Sequence, residues 1–128
     1  MQALVVRLTA AVFALYGLAF VLAPAALARW ITGSAPTASP GMIDLRATYG
    51  GMSVAVGILL FRLASRPSTV PLGLVGVVLL MLGMAAGGLY GMLVDGSPST
   101  LMLVCLGLEL AVAALAIRLL RSTPTARL

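Results

Sequence analysis

This 128-residue sequence predicts an all-α integral membrane bundle of four transmembrane helices. The first reason is composition, because 62% of the residues are hydrophobic and only 9% are charged, whereas charged residues make up about a quarter of an ordinary soluble domain. The second reason is length, because four apolar stretches each approach the roughly 20 residues that a helix needs to cross a bilayer. We therefore expect one transmembrane domain over residues 1–128, with spans near residues 4–28, 43–63, 70–94 and 101–120.

The first apolar stretch allows two interpretations, a cleaved secretory signal or a retained span. Ala26-Leu27-Ala28 resembles a signal cleavage site, but the apolar run of about 20 residues is longer than the core of a typical signal peptide. We therefore expect a retained span over about residues 4–28, with Pro24 near its end. Arg29 and Trp30 follow it and are typical anchors at the membrane interface.

The second span carries a small and polar helix face. Arg46, Tyr49, Gly50, Ser53 and Gly57 recur at steps of three and four residues, which places them on one side of an α-helix. In one interpretation the small residues only let a neighbouring helix approach closely, while Arg46 reaches the lipid headgroups. In the other, Arg46 and Tyr49 line a polar cavity together with the acid of the fourth span.

The third span contains a regular row of glycines. Gly83, Gly87 and Gly91 form a G-x-x-x-G-x-x-x-G ridge, which is typical of helices whose backbones pack closely together. The partner is another helix of this chain or a second copy, and we favour the same chain. Asp95 then begins a turn rich in Gly, Ser and Pro, where we expect it to be solvated.

The fourth span holds a lone carboxylate, Glu109, near its middle. At 1.5 Å per residue, Glu109 lies about 12 Å from one end of the span and 16 Å from the other. A carboxylate at that depth costs about 3 kcal/mol to insert, so it is expected to face other helices rather than lipid. We predict that it lies within hydrogen-bond or single-water reach of Tyr16, Tyr49 or Ser53.

Several classes of site are unsupported by the sequence. There is no His and a single cysteine, Cys105, which we expect to pack as a small residue; we therefore predict no disulfide, no metal site and no cofactor. The net charge of +5 comes from arginines at the ends of apolar spans. Arginines in such positions contact lipid headgroups, so we predict the bilayer as a partner and not nucleic acid.

The distribution of arginine predicts the orientation. With four spans, six of the eight arginines fall on the side that holds both termini, and two fall on the other side. The positive-inside rule therefore places both termini in the cytoplasm.

The residues also resemble a family. Asp44-Leu-Arg-Ala-Thr-Tyr-Gly-Gly-Met in the second span, Leu-Val-Asp-Gly-Ser-Pro after the third and Leu-Glu-Leu in the fourth are similar to a bacterial four-helix membrane family of unknown function. A more distant likeness is to DoxX-like four-helix membrane proteins. The resemblance implies a multi-pass protein of the bacterial cytoplasmic (inner) membrane and brings no established reaction with it.

Three functions fit these observations. The first is a structural or accessory subunit that packs against itself or a larger membrane complex, which the glycine ridge favours. The second is a small enzyme or binding protein for a lipophilic substrate, with Glu109 as general acid or base and Arg46, Tyr49, Ser53 and Tyr16 around it. The third is a small proton-coupled transporter that uses the same carboxylate. The first is the expectation that the sequence favours.

Overall fold

A computed structural model describes residues 1–122 of the chain. Within that range every regular element is helical, as the composition predicts. The elements are α1 (Gln2–Leu22), α2 (Pro24–Thr32), α3 (Ser39–Asp44), a π-helical segment (Leu45–Gly51), α4 (Met52–Leu63), α5 (Val70–Asp95) and α6 (Thr100–Arg121).

Four helical stretches are long and apolar enough to cross a membrane, which confirms the predicted fold class. They are Gln2–Leu22, Ser39–Leu63, Val70–Asp95 and Thr100–Arg121. Their outward-facing side chains are largely aliphatic, and large hydrophobic residues such as Leu22, Leu93 and Leu79 are well exposed. Exposed apolar surface on this scale needs a lipid or protein environment, so these helices suggest a multi-pass membrane protein.

The first span is shorter than the sequence predicts. Helix α1 ends at Leu22, not near residue 28, because Pro24 has no backbone N–H and its ring would collide with the preceding helical turn. Pro24 instead occupies the first turn of α2, where a missing N–H costs nothing. Helix α2 ends at Gly33, whose φ of 81° lies in the left-handed region that favours glycine.

The second span begins earlier than predicted and contains a wide turn. Helix α3 starts at Ser39 with Pro40 in its first turn, so the connection between α2 and α3 is limited to residues 33–38. The chain then follows a π-helix from Leu45 to Gly51, and the N–H of Met52 donates to the carbonyl of Ala47 five residues back. This π segment coincides with the motif that the sequence singled out. Such segments are rare and often occur at functional positions.

The chain divides into two compact units. Within the described residues, one unit comprises Arg7–Arg62 and the other comprises Met1–Val6 with residues 63–122. In the first unit α1 and α4 approach each other at backbone distance. A Cβ added at Gly17 would lie 2.6 Å from the carbonyl oxygen of Gly50, and one added at Gly57 would lie 2.7 Å from that of Ala10. Only glycine allows such an approach.

The second unit is built on α5 and α6, which are joined by a turn over residues 96–99. Gly96 has a φ of 91°, and the hydroxyl of Ser99 accepts a hydrogen bond from the N–H of Met102, which caps the start of α6. At the other end of α6, the side-chain amide of Gln2 donates to the carbonyl of Leu119 at 3.0 Å. Both ends of α6 therefore have side-chain partners for otherwise unpaired backbone groups.

Candidate functional site

A cavity of about 380 Å³ lies between the C-terminal half of α5, the turn after it and the N-terminal half of α6. Glycines of α5 create part of this space. An added Cβ at Gly88 would meet no atom within 4 Å, and one at Gly91 would meet only the Asp95 carboxylate, at 3.7 Å. The lining consists of Met84, Gly88, Gly91, Met92, Asp95, Gly96, Ser97, Pro98, Met102, Cys105, Leu106 and Glu109.

Glu109 marks the deep end of the cavity. It follows Thr100 by nine residues, which corresponds to about 14 Å along the axis of α6. Its side chain is half-buried and shares the cavity with Met84 and Gly88 of α5. The structure therefore places this carboxylate on an open space and not in a tightly packed helix contact.

Two residues that the sequence interpreted differently also line the cavity. Asp95 was expected to be a solvated turn residue, and it is exposed. It is, however, the last residue of α5 and lines the shallow end of the cavity. Cys105, expected to pack against a neighbouring helix, is instead exposed with a free thiol. Cys105 and Glu109 are four residues apart and therefore share one face of α6. Their grouping with Asp95 could not be predicted, because it depends on how α5 and α6 are rotated against each other.

The chemistry of the lining is mostly apolar with a few polar groups. Three methionines and Leu106 supply the apolar wall, while Asp95, Ser97, Cys105 and Glu109 supply polar atoms. Among the described residues that line the cavity, none is basic. Within residues 1–122, no group of three or more His, Cys, Asp or Glu residues is arranged to hold a metal ion.

The other predicted site residues lie in the Arg7–Arg62 unit. The Arg46 guanidinium donates to the carbonyl of Val21, one of the last carbonyls of α1. Such carbonyls have no partner within the helix and carry the negative end of its dipole, so a guanidinium there is favourable. Tyr49 stacks on Phe20 with ring centroids 5.4 Å apart, and Tyr16 contacts the same ring at 4.8 Å.

Ser53 is buried in the contact between α4 and α1. It is 7% exposed and lies between the buried glycines Gly50 and Gly57. An added Cβ at Gly50 would lie 2.7 Å from the Val21 side chain. Four of the predicted site residues therefore lie in one unit, whereas Glu109 belongs to the other. The four are Tyr16, Arg46, Tyr49 and Ser53. The contact of Glu109 with Tyr16, Tyr49 or Ser53 stays a prediction.

The structure gives no support for close helix packing on the glycine ridge of α5. Added Cβ atoms at Gly83 and Gly87 would meet nothing within 4 Å, and Gly91 faces the cavity. Helix α6 therefore makes no tight contact at Gly83 or Gly87, and packing of this ridge against another helix of the chain or a second copy stays a prediction. The tight glycine contact of the other unit involves Gly17, which the prediction did not include. Ala10, Ala14 and Gly17 recur at steps of four and three residues, and this small-residue row was the signal for the contact.

No curated protein and no solved structure matches the chain. The likeness to DoxX-like proteins therefore remains an expectation. One family model matches residues 1–120, almost the whole chain, and its description is a domain of unknown function. The chain belongs to this family, the domain of unknown function DUF4345.

Proposed function

We propose that this chain binds a lipophilic small molecule in the cavity between α5 and α6, with Glu109 as its deepest polar contact. The observation that carries the proposal is the cavity itself, a space of about 380 Å³ that extends from the turn after α5 to a carboxylate in the middle of α6. Cavities of roughly 300–1,000 Å³ with mostly apolar walls and a few convergent polar groups are typical of small-molecule sites.

The position of the cavity favours a ligand that dissolves in the membrane. Its walls are formed by two helices that are apolar enough to cross a bilayer. A molecule with an apolar body and one polar group gains contact with the methionines and Leu106 while its polar group approaches Glu109. Without such a group, a carboxylate at this depth is costly.

The same binding step is common to three functions. A binding protein only needs the cavity, an enzyme additionally uses Glu109 as general acid or base, and a transporter exchanges the ligand for a proton at the same carboxylate. We propose binding as the shared function, because the cavity supports it directly. Arg46 is an unsupported candidate for positioning this ligand, since its guanidinium already contacts the end of α1.

We also propose that both termini lie in the cytoplasm of a bacterial cell and that the chain resides in the cytoplasmic membrane. The support is the distribution of arginine, six on the side of the termini against two on the other side. In this orientation the turn over residues 96–99 faces the outside, so the shallow end of the cavity lies near the outer surface of the membrane.

Binding is tested by a substitution that fills the cavity at Gly88, one of the residues that line it. Gly88→Leu places an isobutyl group in the cavity, and the open space around Gly88 accepts a side chain without a clash. We expect lipophilic molecules that co-purify with the wild type in mild detergent to be lost from this variant. Native mass spectrometry, followed by identification of the extracted molecules, measures the loss.

Gly83→Leu is the matched control. Gly83 is equally open, lies on the same helix and does not line the cavity, so this variant should keep the co-purifying molecules. Equal retention in both variants would contradict binding in this cavity, and so would a wild type that carries no small molecule.

An accessory role in a larger assembly is the second candidate. One support is the open surface at Gly83 and Gly87, where an added Cβ would meet no atom within 4 Å. The other is α6, because only 11% of its most apolar 18-residue stretch is buried. If this role is correct, Gly83→Leu should change the oligomeric state measured by light scattering in detergent, while Gly88→Leu should still lose the small molecule. An unchanged mass of the assembly in Gly83→Leu would argue against the ridge as an interface.

A further inference from the structure

We infer that the ligand of the α5–α6 cavity is a lipophilic organic cation, an inference that rests on the proposed binding function. The observation behind it is the charge of the lining. The whole chain contains three acidic residues, and two of them, Asp95 and Glu109, line this one cavity. None of the eight arginines lies among the described lining residues, although the chain as a whole carries a net charge of +5.

The two carboxylates lie at different depths. Asp95 ends α5 beside the turn, and Glu109 lies about 14 Å along α6 from the start of that helix. A cation that enters the cavity near the turn therefore meets a carboxylate at its shallow end and another at its deep end. An anion meets unfavourable charge at both positions, because surroundings of low dielectric strengthen like-charge repulsion.

The apolar part of the lining distinguishes an organic cation from a metal ion. Within residues 1–122, no three His, Cys, Asp or Glu residues come together in a group able to hold a metal. The apolar part of the lining includes glycine backbone, Leu106 and the thioethers of Met84, Met92 and Met102. Methionine side chains are flexible and polarizable, which suits the body of an organic molecule.

The experiment compares two probes of nearly the same size and shape and of opposite charge, tetraphenylphosphonium and tetraphenylborate. Binding of each radiolabelled ion to the full-length protein in mild detergent is measured by equilibrium dialysis, with empty micelles subtracted. The thiol of Cys105 gives a second readout, because it is the only thiol in the chain and lines the cavity. We expect tetraphenylphosphonium to bind and to slow the alkylation of Cys105 by N-ethylmaleimide, and tetraphenylborate to do neither.

Substitutions of the acids test the role of charge. Glu109→Gln and Asp95→Asn keep the shape of each side chain and remove its charge, so each should weaken tetraphenylphosphonium binding about tenfold. Asp44→Asn is the matched control. Asp44 is the third acid of the chain, lies outside the cavity and accepts a hydrogen bond from the Thr48 hydroxyl at 3.1 Å, which an amide oxygen can still accept. This variant should bind the probe like the wild type.

The outcomes separate this inference from the proposed function. Equal binding of both probes, abolished in both cases by Gly88→Leu, would overturn the preference for a cation and leave a lipophilic site in place. Loss of binding in Asp44→Asn to the same degree as in Glu109→Gln would also overturn it. If neither probe binds and neither protects Cys105, while the wild type carries no co-purified molecule, both the inference and the proposed function are wrong.

Discussion

Gly57→Leu is expected to prevent stable packing of α1 against α4. An added Cβ at Gly57 would lie 2.7 Å from the carbonyl oxygen of Ala10 and 2.8 Å from the nitrogen of Ala14. Both are backbone atoms, so a larger side chain fits only if the two helices separate along this contact. Overpacking typically costs 1–3 kcal/mol, and the rigid surroundings here place the expected loss at about 3 kcal/mol or more. Thermal unfolding followed by circular dichroism in mild detergent measures it.

Gly83→Leu provides the control for this prediction, because it adds the same side chain to a position where a Cβ would meet no atom within 4 Å. Its unfolding temperature should remain close to that of the wild type. Gly57→Ala should fall between the two, since a methyl group already collides with the backbone of α1. Unfolding of Gly57→Leu at the temperature of Gly83→Leu would contradict the close contact between α1 and α4.

Arg46→Ala is expected to destabilise the end of α1 by about 2 kcal/mol. The guanidinium donates to the carbonyl of Val21, and its charge lies at the negative end of the α1 dipole. Removing it leaves that carbonyl without its side-chain donor. The variant should therefore unfold at a lower temperature and expose the segment around Val21 to faster hydrogen exchange, which mass spectrometry localises.

Arg29→Ala is the matched control for the loss of charge. Arg29 is an exposed residue of α2, and its removal changes the net charge equally. Arg46→Lys should retain part of the stability, because an ammonium group keeps the charge but not the planar geometry of the guanidinium. If Arg29→Ala and Arg46→Ala lower stability by the same amount, the bond to Val21 has no special role.

The number and approximate ends of the spans follow from the sequence because they depend on apolar length alone. The third and fourth spans, predicted at residues 70–94 and 101–120, are helices Val70–Asp95 and Thr100–Arg121. The end of α1 at Leu22 could not be predicted in this way, because Pro24 could lie inside one long helix or begin a second helix. Which of the two forms depends on the contacts of residues 24–32, and apolar length does not reveal those contacts.

The functional faces were harder to predict because rotation about each helix axis is not encoded in a uniformly apolar helix. Helix α5 is apolar on every side, so its glycine ridge gives no direction for the partner. In the second span the assumed period of 3.6 residues fails over the π segment. Gly50, Ser53 and Gly57 are buried, whereas Arg46 and Tyr49 are exposed. Glu109 was identified by its chemistry, but placing Asp95 in the same cavity requires the register of α5 against α6.

The wide turn at Leu45–Gly51 bears on how relatives of this chain should be aligned. A π-helix holds one more residue between hydrogen-bonded groups than an α-helix does, so the loss of a single residue there can restore ordinary helical geometry. The same loss within α4 would rotate everything beyond it by about 100° and carry Gly57 away from Ala10 and Ala14. Gaps in an alignment of this family therefore belong in the wide turn, and family members that lack one residue there should retain the glycine contact.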